Sequence, residues 1–60
     1  MVILVADRPN GLSICEYEEL RTEKRFAVYI GDILICDFLT YDEADILAKA
    51  LVERFKNDEA

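Results

Sequence analysis

The sequence predicts an α+β fold: a small antiparallel β-meander of three to four strands followed by one C-terminal α-helix packed on one sheet face. Three observations lead there. "RFAVYIGDILICDF" at 25–38 holds two strand-like runs separated by Gly31-Asp32, the two-residue connection of a tight hairpin. "VILVA" and "LSICEYE" upstream are two further runs of strand length, divided by turn residues. After Thr40 the apolar residues recur at helical rather than strand spacing.

Residues 2–6 are apolar on both sides of the pleat, as in a short buried strand. "DRPNG" at 7–11 supplies turn chemistry: Pro9 fixes φ, and Asn10-Gly11 tolerates positive φ. A second strand is predicted over 12–18 and a polar connection over 19–24. The third and fourth strands, 25–30 and 33–38, pair Ile30 with Ile33, Val28 with Ile35 and Phe26 with Asp37 on one face. The other face pairs Tyr29 with Leu34, Ala27 with Cys36 and Arg25 with Phe38. Thr40 and Glu43 form a capping box, with Leu39 and Ala44 placed for a hydrophobic staple. Ala44, Leu47, Ala48, Leu51, Val52 and Phe55 then make one apolar helical stripe, and the terminal "NDEA" is expected to fray. No repeat or linker divides the chain, so 1–60 reads as a single β-β-β-β-α domain.

The helix must bury its stripe on one sheet face. Phe26, Val28, Ile30, Ile33 and Ile35 are the denser set and are assigned to it, with Cys15 and Tyr17 alongside. The opposite face then holds Leu12, Ile14, Glu16 and Glu18 beside Tyr29, Leu34, Cys36 and Phe38. That apolar patch is expected to mark an interface, with a homodimer as its simplest form.

Sixty residues lie near the lower limit for a single unaided core, and 53% hydrophobic content argues against disorder. No apolar run reaches the roughly 18 residues of a membrane span, and "VILVA" is too short for a signal peptide's apolar region. The expectation is a soluble, cytoplasmic protein. Cys15 and Cys36 fall on strands two apart, roughly 9.5 Å, beyond the roughly 7 Å reach of a disulfide; free thiols fit a reducing compartment.

Thirteen acidic residues against seven basic ones give a formal charge of −6. That balance repels a phosphate backbone and attracts a basic protein surface. There is no histidine, and neither Ser13 nor either cysteine has a base within its sequence motif to activate it. The reading is therefore no enzyme, no catalytic residue, no cofactor and no metal site. The carboxylates of "YDEAD" at 41–45 match no calcium loop and read as a first turn that complements the helix dipole. Candidate partner-binding residues are the acidic Glu16, Glu18, Asp42 and Asp45, the outer-face Tyr29, Leu34 and Phe38, and Ile46, the apolar residue set among charges on the polar helix face.

The passage "CDFLTYDEADILAKAL" resembles the F-x-T-x-E-E-A ending of small three-strand-plus-helix modules, such as AP2-type DNA-binding domains and the N-terminal domains of phage integrases. Phe38, Thr40, Glu43 and Ala44 carry the resemblance over about a quarter of the chain. It implies a sheet followed by a capped helix. Those families read DNA with a basic sheet surface, whereas this one would present Glu16 and Glu18 with only Arg25 opposing them.

The function expected is that of a small acidic interaction protein, an inhibitor or regulator binding a partner protein with a basic surface. Small phage-type counter-defence, anti-CRISPR-like inhibitors of nucleic-acid-handling complexes act in this way, which suggests a phage or mobile-element origin. Two alternatives remain. One is a weak nucleic-acid-binding module stacking bases on Tyr29 and Phe38 beside Lys24 and Arg25; the other is a structural subunit of a larger assembly.

Overall fold

The structure, a computed structural model, describes residues 1–58; Glu59 and Ala60, the end of the expected frayed tail, lie outside the described residues. Strands β1 (Val2–Asp7), β2 (Leu12–Tyr17), β3 (Phe26–Ile30) and β4 (Ile33–Leu39) precede helix α1 (Tyr41–Asp58). They form one antiparallel sheet in the order β1-β2-β3-β4. The helix packs chiefly across β2 and β3 and only grazes β4. Asn57 and Asp58 are the last two residues of α1.

Each connection uses the chemistry its residues offer. Pro9–Gly11 makes a single 3₁₀ turn in which Asn10 and Gly11 adopt φ of 66° and 78°. Gly31 takes φ of 55° at the β3–β4 turn, and Ile30 lies opposite Ile33 as a two-residue loop requires. At the start of α1 the Thr40 amide donates to Glu43 Oε1 at 2.9 Å, and the Glu43 amide donates to Thr40 Oγ1 at 3.1 Å. The capping box thus satisfies two of the backbone donors that a helix start leaves unpaired.

The core comprises Leu12, Ile14, Phe26, Val28, Ala44 and Ala48. Ala44 and Ala48, one turn apart and both fully buried, are the helix residues most deeply enclosed, and Leu47, Leu51, Val52 and Phe55 fill in around them as the stripe predicts. Leu12, Ile14 and Val28 are the largest fully buried side chains, each contributing roughly 1.5–3 kcal/mol by leaving water.

The structure corrects three expectations. First, β2 presents its other side: Leu12 lies opposite Ile30, Ile14 opposite Val28 and Glu16 opposite Phe26, so these three face the helix. Ser13, Cys15 and Tyr17 face away. The connection at 18–25 sets a register one residue from the expected one, and one residue exchanges the faces of a strand. The outcome is sensible, because Leu12 and Ile14 are the larger apolar pair.

Second, β4 slips twice against β3. After Tyr29 opposite Leu34, the next pairs are Val28 opposite Cys36 and Phe26 opposite Leu39. Ile35 is therefore an unpaired extra residue, and a second irregularity falls at Phe38, which takes φ of 54°. An all-apolar "ILIC" lacks the alternation that would pin its register. Ile33 and Ile35, expected in the core, are 66% and 44% exposed, and Leu39 packs on the core instead.

Third, β1 is not a buried strand. It pairs with β2 alone, is bulged between Leu4 and Ala6, and leaves Val2, Leu4 and Val5 exposed. Cys15 opposite Ala27 and Cys36 opposite Val28 lie on opposite faces with β3 between them, and both are free thiols.

Ile14→Ala is expected to cost about 2–5 kcal/mol in urea unfolding, a large share of the stability of a domain this small. Ile46→Ala, at a position 67% exposed, is expected to stay within about 0.5 kcal/mol of the parent.

Candidate partner-binding surface

Strand ends and the helix start converge at one end of the sheet, where Glu18, Glu19, Glu23 and Asp42 lie together with Arg21, Lys24 and Arg25. Arg25 organises this end. Its Nε donates to Glu16 Oε2 at 2.5 Å and its Nη1 to the Thr22 carbonyl at 3.1 Å. The guanidinium carbon stands 4.9 Å from the centroid of the Phe26 ring, and Phe26 meets Tyr41 edge-to-face at 5.4 Å and 79°. Glu23, Arg25, Phe26, Thr40, Tyr41 and Asp42 line a shallow cleft of about 370 Å³. Glu18 follows β2 at the same end, its amide donating to the Met1 carbonyl. Glu43 is spent on the cap: hydrogen bonds from the Thr40 amide and then its hydroxyl hold this carboxyl below the usual range.

Asp45 plays a different part from Asp42. Its Oδ1 accepts from Arg8 Nη2 and its Oδ2 from Lys49 Nζ, each at 3.0 Å. Lys49 first, then Arg8, lowers its pKa. The carboxylate ties the exit of β1 to the helix, with both of its oxygens engaged in ion pairs. Glu16 is likewise engaged, by Arg25. Glu18, Glu23 and Asp42 are exposed and enter no ion pair among the described residues. Ile46, one turn beyond Asp42, shares its helix face.

The helix-free face of the sheet forms a second surface. Val2 and Leu4 of β1, Ser13, Cys15 and Tyr17 of β2, Ala27 and Tyr29 of β3, and Leu34 of β4 lie on it by register. The Tyr17 and Tyr29 hydroxyls meet at 3.3 Å. Their strand positions lie diagonally across the Cys15–Ala27 pair, so the two side chains arch over it, and Ala27 is fully buried without the helix. Tyr29 and Leu34 stand here as the sequence implies, with Phe38, 60% exposed, at the β4 bulge. Arg25 turns to Glu16 and Phe26 on the other side, away from Tyr29, so the base-stacking set does not assemble around it.

The expected candidates therefore divide between two surfaces. Glu16, Glu18 and Asp42 belong to the acidic end, while Asp45 serves the helix tie and Ile46 the helix face beside it. Tyr29, Leu34 and Phe38 belong to the outer face. Sequence reasoning missed Tyr17, whose place depends on the β2 register, and Arg8. The signal for Tyr17 was present: a strand that offers Leu12, Ile14 and Glu16 on one side and Ser13, Cys15 and Tyr17 on the other buries the bulkier aliphatic pair.

Near the 3₁₀ turn, Arg8, Pro9, Lys49, Val52 and Glu53 border a cleft of about 400 Å³ that adjoins Asn10 and Lys56. Charge of both signs lies at each end: Arg21, Lys24 and Arg25 accompany Glu18, Glu19 and Glu23 in and beside the β2–β3 connection, and Glu53 accompanies Lys49 and Lys56 on the later turns of the helix. Among the described residues no three His, Cys, Asp or Glu side chains are grouped to hold a metal ion, and no helix is long and apolar enough to cross a membrane. Comparison with protein-family models, curated proteins and solved structures finds no match.

The Tyr29 hydroxyl, then burial, pushes the Tyr17 phenol up to about 12 from its ordinary 10.0. A raised pKa means the contribution of this pair is complete below pH 10 and is lost as the pH climbs toward 12. Phenolate absorbance should show one late-titrating tyrosine, and Tyr29→Phe should return it toward 10. The Asp45 pKa is lowered, so its tie holds above pH 3.8 and fails as the pH drops through the lowered value. Asp45→Asn should flatten this acid limb of the stability curve.

Proposed function

We propose that this chain is a non-enzymatic protein-interaction protein, an inhibitor or regulator whose acidic end docks on a basic surface of its partner. The observation that supports this is the company kept by Glu18, Glu23 and Asp42. They are exposed and enter no ion pair among the described residues; Glu23 and Asp42 line one cleft with Tyr41, and Glu18 follows β2 at the same end of the sheet.

Exposed ion pairs are each worth only about 0–1 kcal/mol, so the carboxylates act mainly on encounter rate and specificity. A net charge of −6 steers a basic partner toward the protein. Lasting affinity needs desolvated anchors, and Tyr41 and Ile46, 38% and 67% exposed, flank Asp42 on the helix. A basic nucleic-acid-binding groove is the kind of surface that such an end would occupy, its carboxylates standing where phosphates otherwise lie.

The triple variant Glu18→Lys, Glu23→Lys and Asp42→Lys leaves the Arg25–Glu16 and Arg8–Asp45 pairs in place, so it should fold. In affinity capture from a cell lysate the parent should retain a partner that washes off above about 0.5 M salt, where screening falls below roughly 5 Å. The variant should lose that partner. Undiminished capture by the variant would refute the reading.

A further inference from the structure

We infer that β1 is a releasable strand: it opens from the sheet as a unit while β2, β3, β4 and α1 stay folded, and the ion pair between Arg8 and Asp45 is the latch that holds it closed. Burial separates this strand from the rest. Among the described residues, those that are buried all lie on β2, β3 and α1. None of the six residues of β1 is buried, and Ala6 alone packs against the core. A segment that buries so little apolar surface opens at a smaller free-energy cost than the core it borders.

β1 is also held along one side only. It pairs with β2, and the ladder is interrupted between Leu4 and Ala6, leaving Val5 without a residue opposite. The helix packs across β2 and β3 and meets β4 and the 3₁₀ turn, but makes no comparable contact with β1. β4, the other edge, is exposed too, yet its end is fastened. Leu39 lies opposite Phe26 and packs on the core, and the next residue, Thr40, caps the helix. β4 cannot leave without undoing that cap, whereas β1 can. Before β1, the Met1 ammonium pairs with Glu19, but both side chains are largely exposed, and such pairs add little.

The tie to the helix sits at the exit of β1. The Arg8 guanidinium donates through Nη1 to the Asp7 carbonyl at 3.1 Å and through Nη2 to Asp45 Oδ1 at 3.0 Å, so it clasps the last residue of β1 to the helix. The Arg8 and Asp45 side chains are 28% and 23% exposed, better shielded than the Met1–Glu19 pair. Asp45 also accepts from Lys49 Nζ through its other oxygen. Separating Arg8 from Asp45 therefore leaves the carboxylate paired within the helix. Release strands no half-buried anion, the penalty that otherwise keeps a shielded ion pair shut. Asp45 thus has two satisfied states, one bridging strand and helix and one confined to the helix.

The connection that follows β1 stays with the body of the fold. The Arg8 amide donates to the Leu12 carbonyl at 2.8 Å, and the Gly31 amide donates to the Gly11 carbonyl at 2.9 Å, which joins the 3₁₀ turn to the β3–β4 loop. Opening is confined in this way to the residues before the turn. Once β1 swings out, β2 becomes the edge of the sheet. Its backbone groups between Ser13 and Tyr17, paired with β1 in the closed state, are then free to take up an extended segment in place of β1.

Native-state amide exchange of the full chain, followed by NMR in rising urea, reads this opening directly. The hydrogen-bonded amides of β1 should be at least about tenfold less protected than the most protected amides of β3 and α1. Opening of one edge strand exposes little surface, so urea should leave β1 exchange nearly unchanged while it steepens exchange in the core. Arg8→Gln should lower β1 protection by about threefold, the scale of one partly exposed ion pair, without a matching loss in β3 and α1. Lys49→Gln, which spares the Arg8–Asp45 pair, should not lower it. β1 amides that share the protection and urea dependence of the core would overturn the independent opening. An Arg8→Gln variant that leaves β1 protection at the parental value, or lowers that of β3 and α1 equally, would overturn the latch.

Discussion

Five successive pairings between β2 and β3, from Leu12 opposite Ile30 to Glu16 opposite Phe26, set the side on which every other element must lie. They bring Leu12, Ile14, Phe26 and Val28 onto one face. The helix then has one place to put its stripe, with Ala44 and Ala48 against that cluster. The same pairings send Cys15, Tyr17, Ala27 and Tyr29 to the opposite face. A slip of one residue would bring Ser13, Cys15 and Tyr17 under the helix and leave Leu12 and Ile14 in water.

Helix position has a second consequence, because one helix does not span four strands. Centred on β2 and β3, it leaves β1 and β4 covered by little but their own side chains. Both outer strands are bulged, which guards their unpaired backbone groups from foreign strands. Apolar residues that bulging displaces, Val5, Ile35 and Phe38, end up exposed. Edge protection and surface stickiness are in this sense two results of the same irregularities.

Charge is arranged with comparable economy. Internal ion pairs use the acidic residues that position elements: Glu16 for Arg25, Asp45 for Arg8 and Lys49, with Glu43 on the helix cap. At the end where the helix starts, exposed Glu18, Glu23 and Asp42 stand with exposed Arg21 and Lys24, and Arg8, Lys49 and Glu53 border the cleft by the 3₁₀ turn.

Local rules alone determined much of this protein. The Gly31-Asp32 turn, the Thr40–Glu43 cap, the positive φ of Asn10-Gly11 and the helical stripe from Ala44 to Phe55 follow from residues within a few positions of one another, and each stands where the sequence puts it. The order of strands and helix follows from these. Only the tertiary structure decided the faces. The polar connection between β2 and β3 has no turn signature, so nothing in it encodes whether its register is odd or even, and that parity decides the sides of Tyr17 and Ile14. The run "ILIC" is equally silent, since four apolar residues in a row satisfy either face, and the bulges at Ile35 and Phe38 arise where pairing with β3 and the approach to the helix must both be met. The ion pairs of Glu16 and Asp45 rest on Arg25 and Arg8, nine and thirty-seven positions away in the chain, distances that no pattern of spacing reports and that folding alone closes.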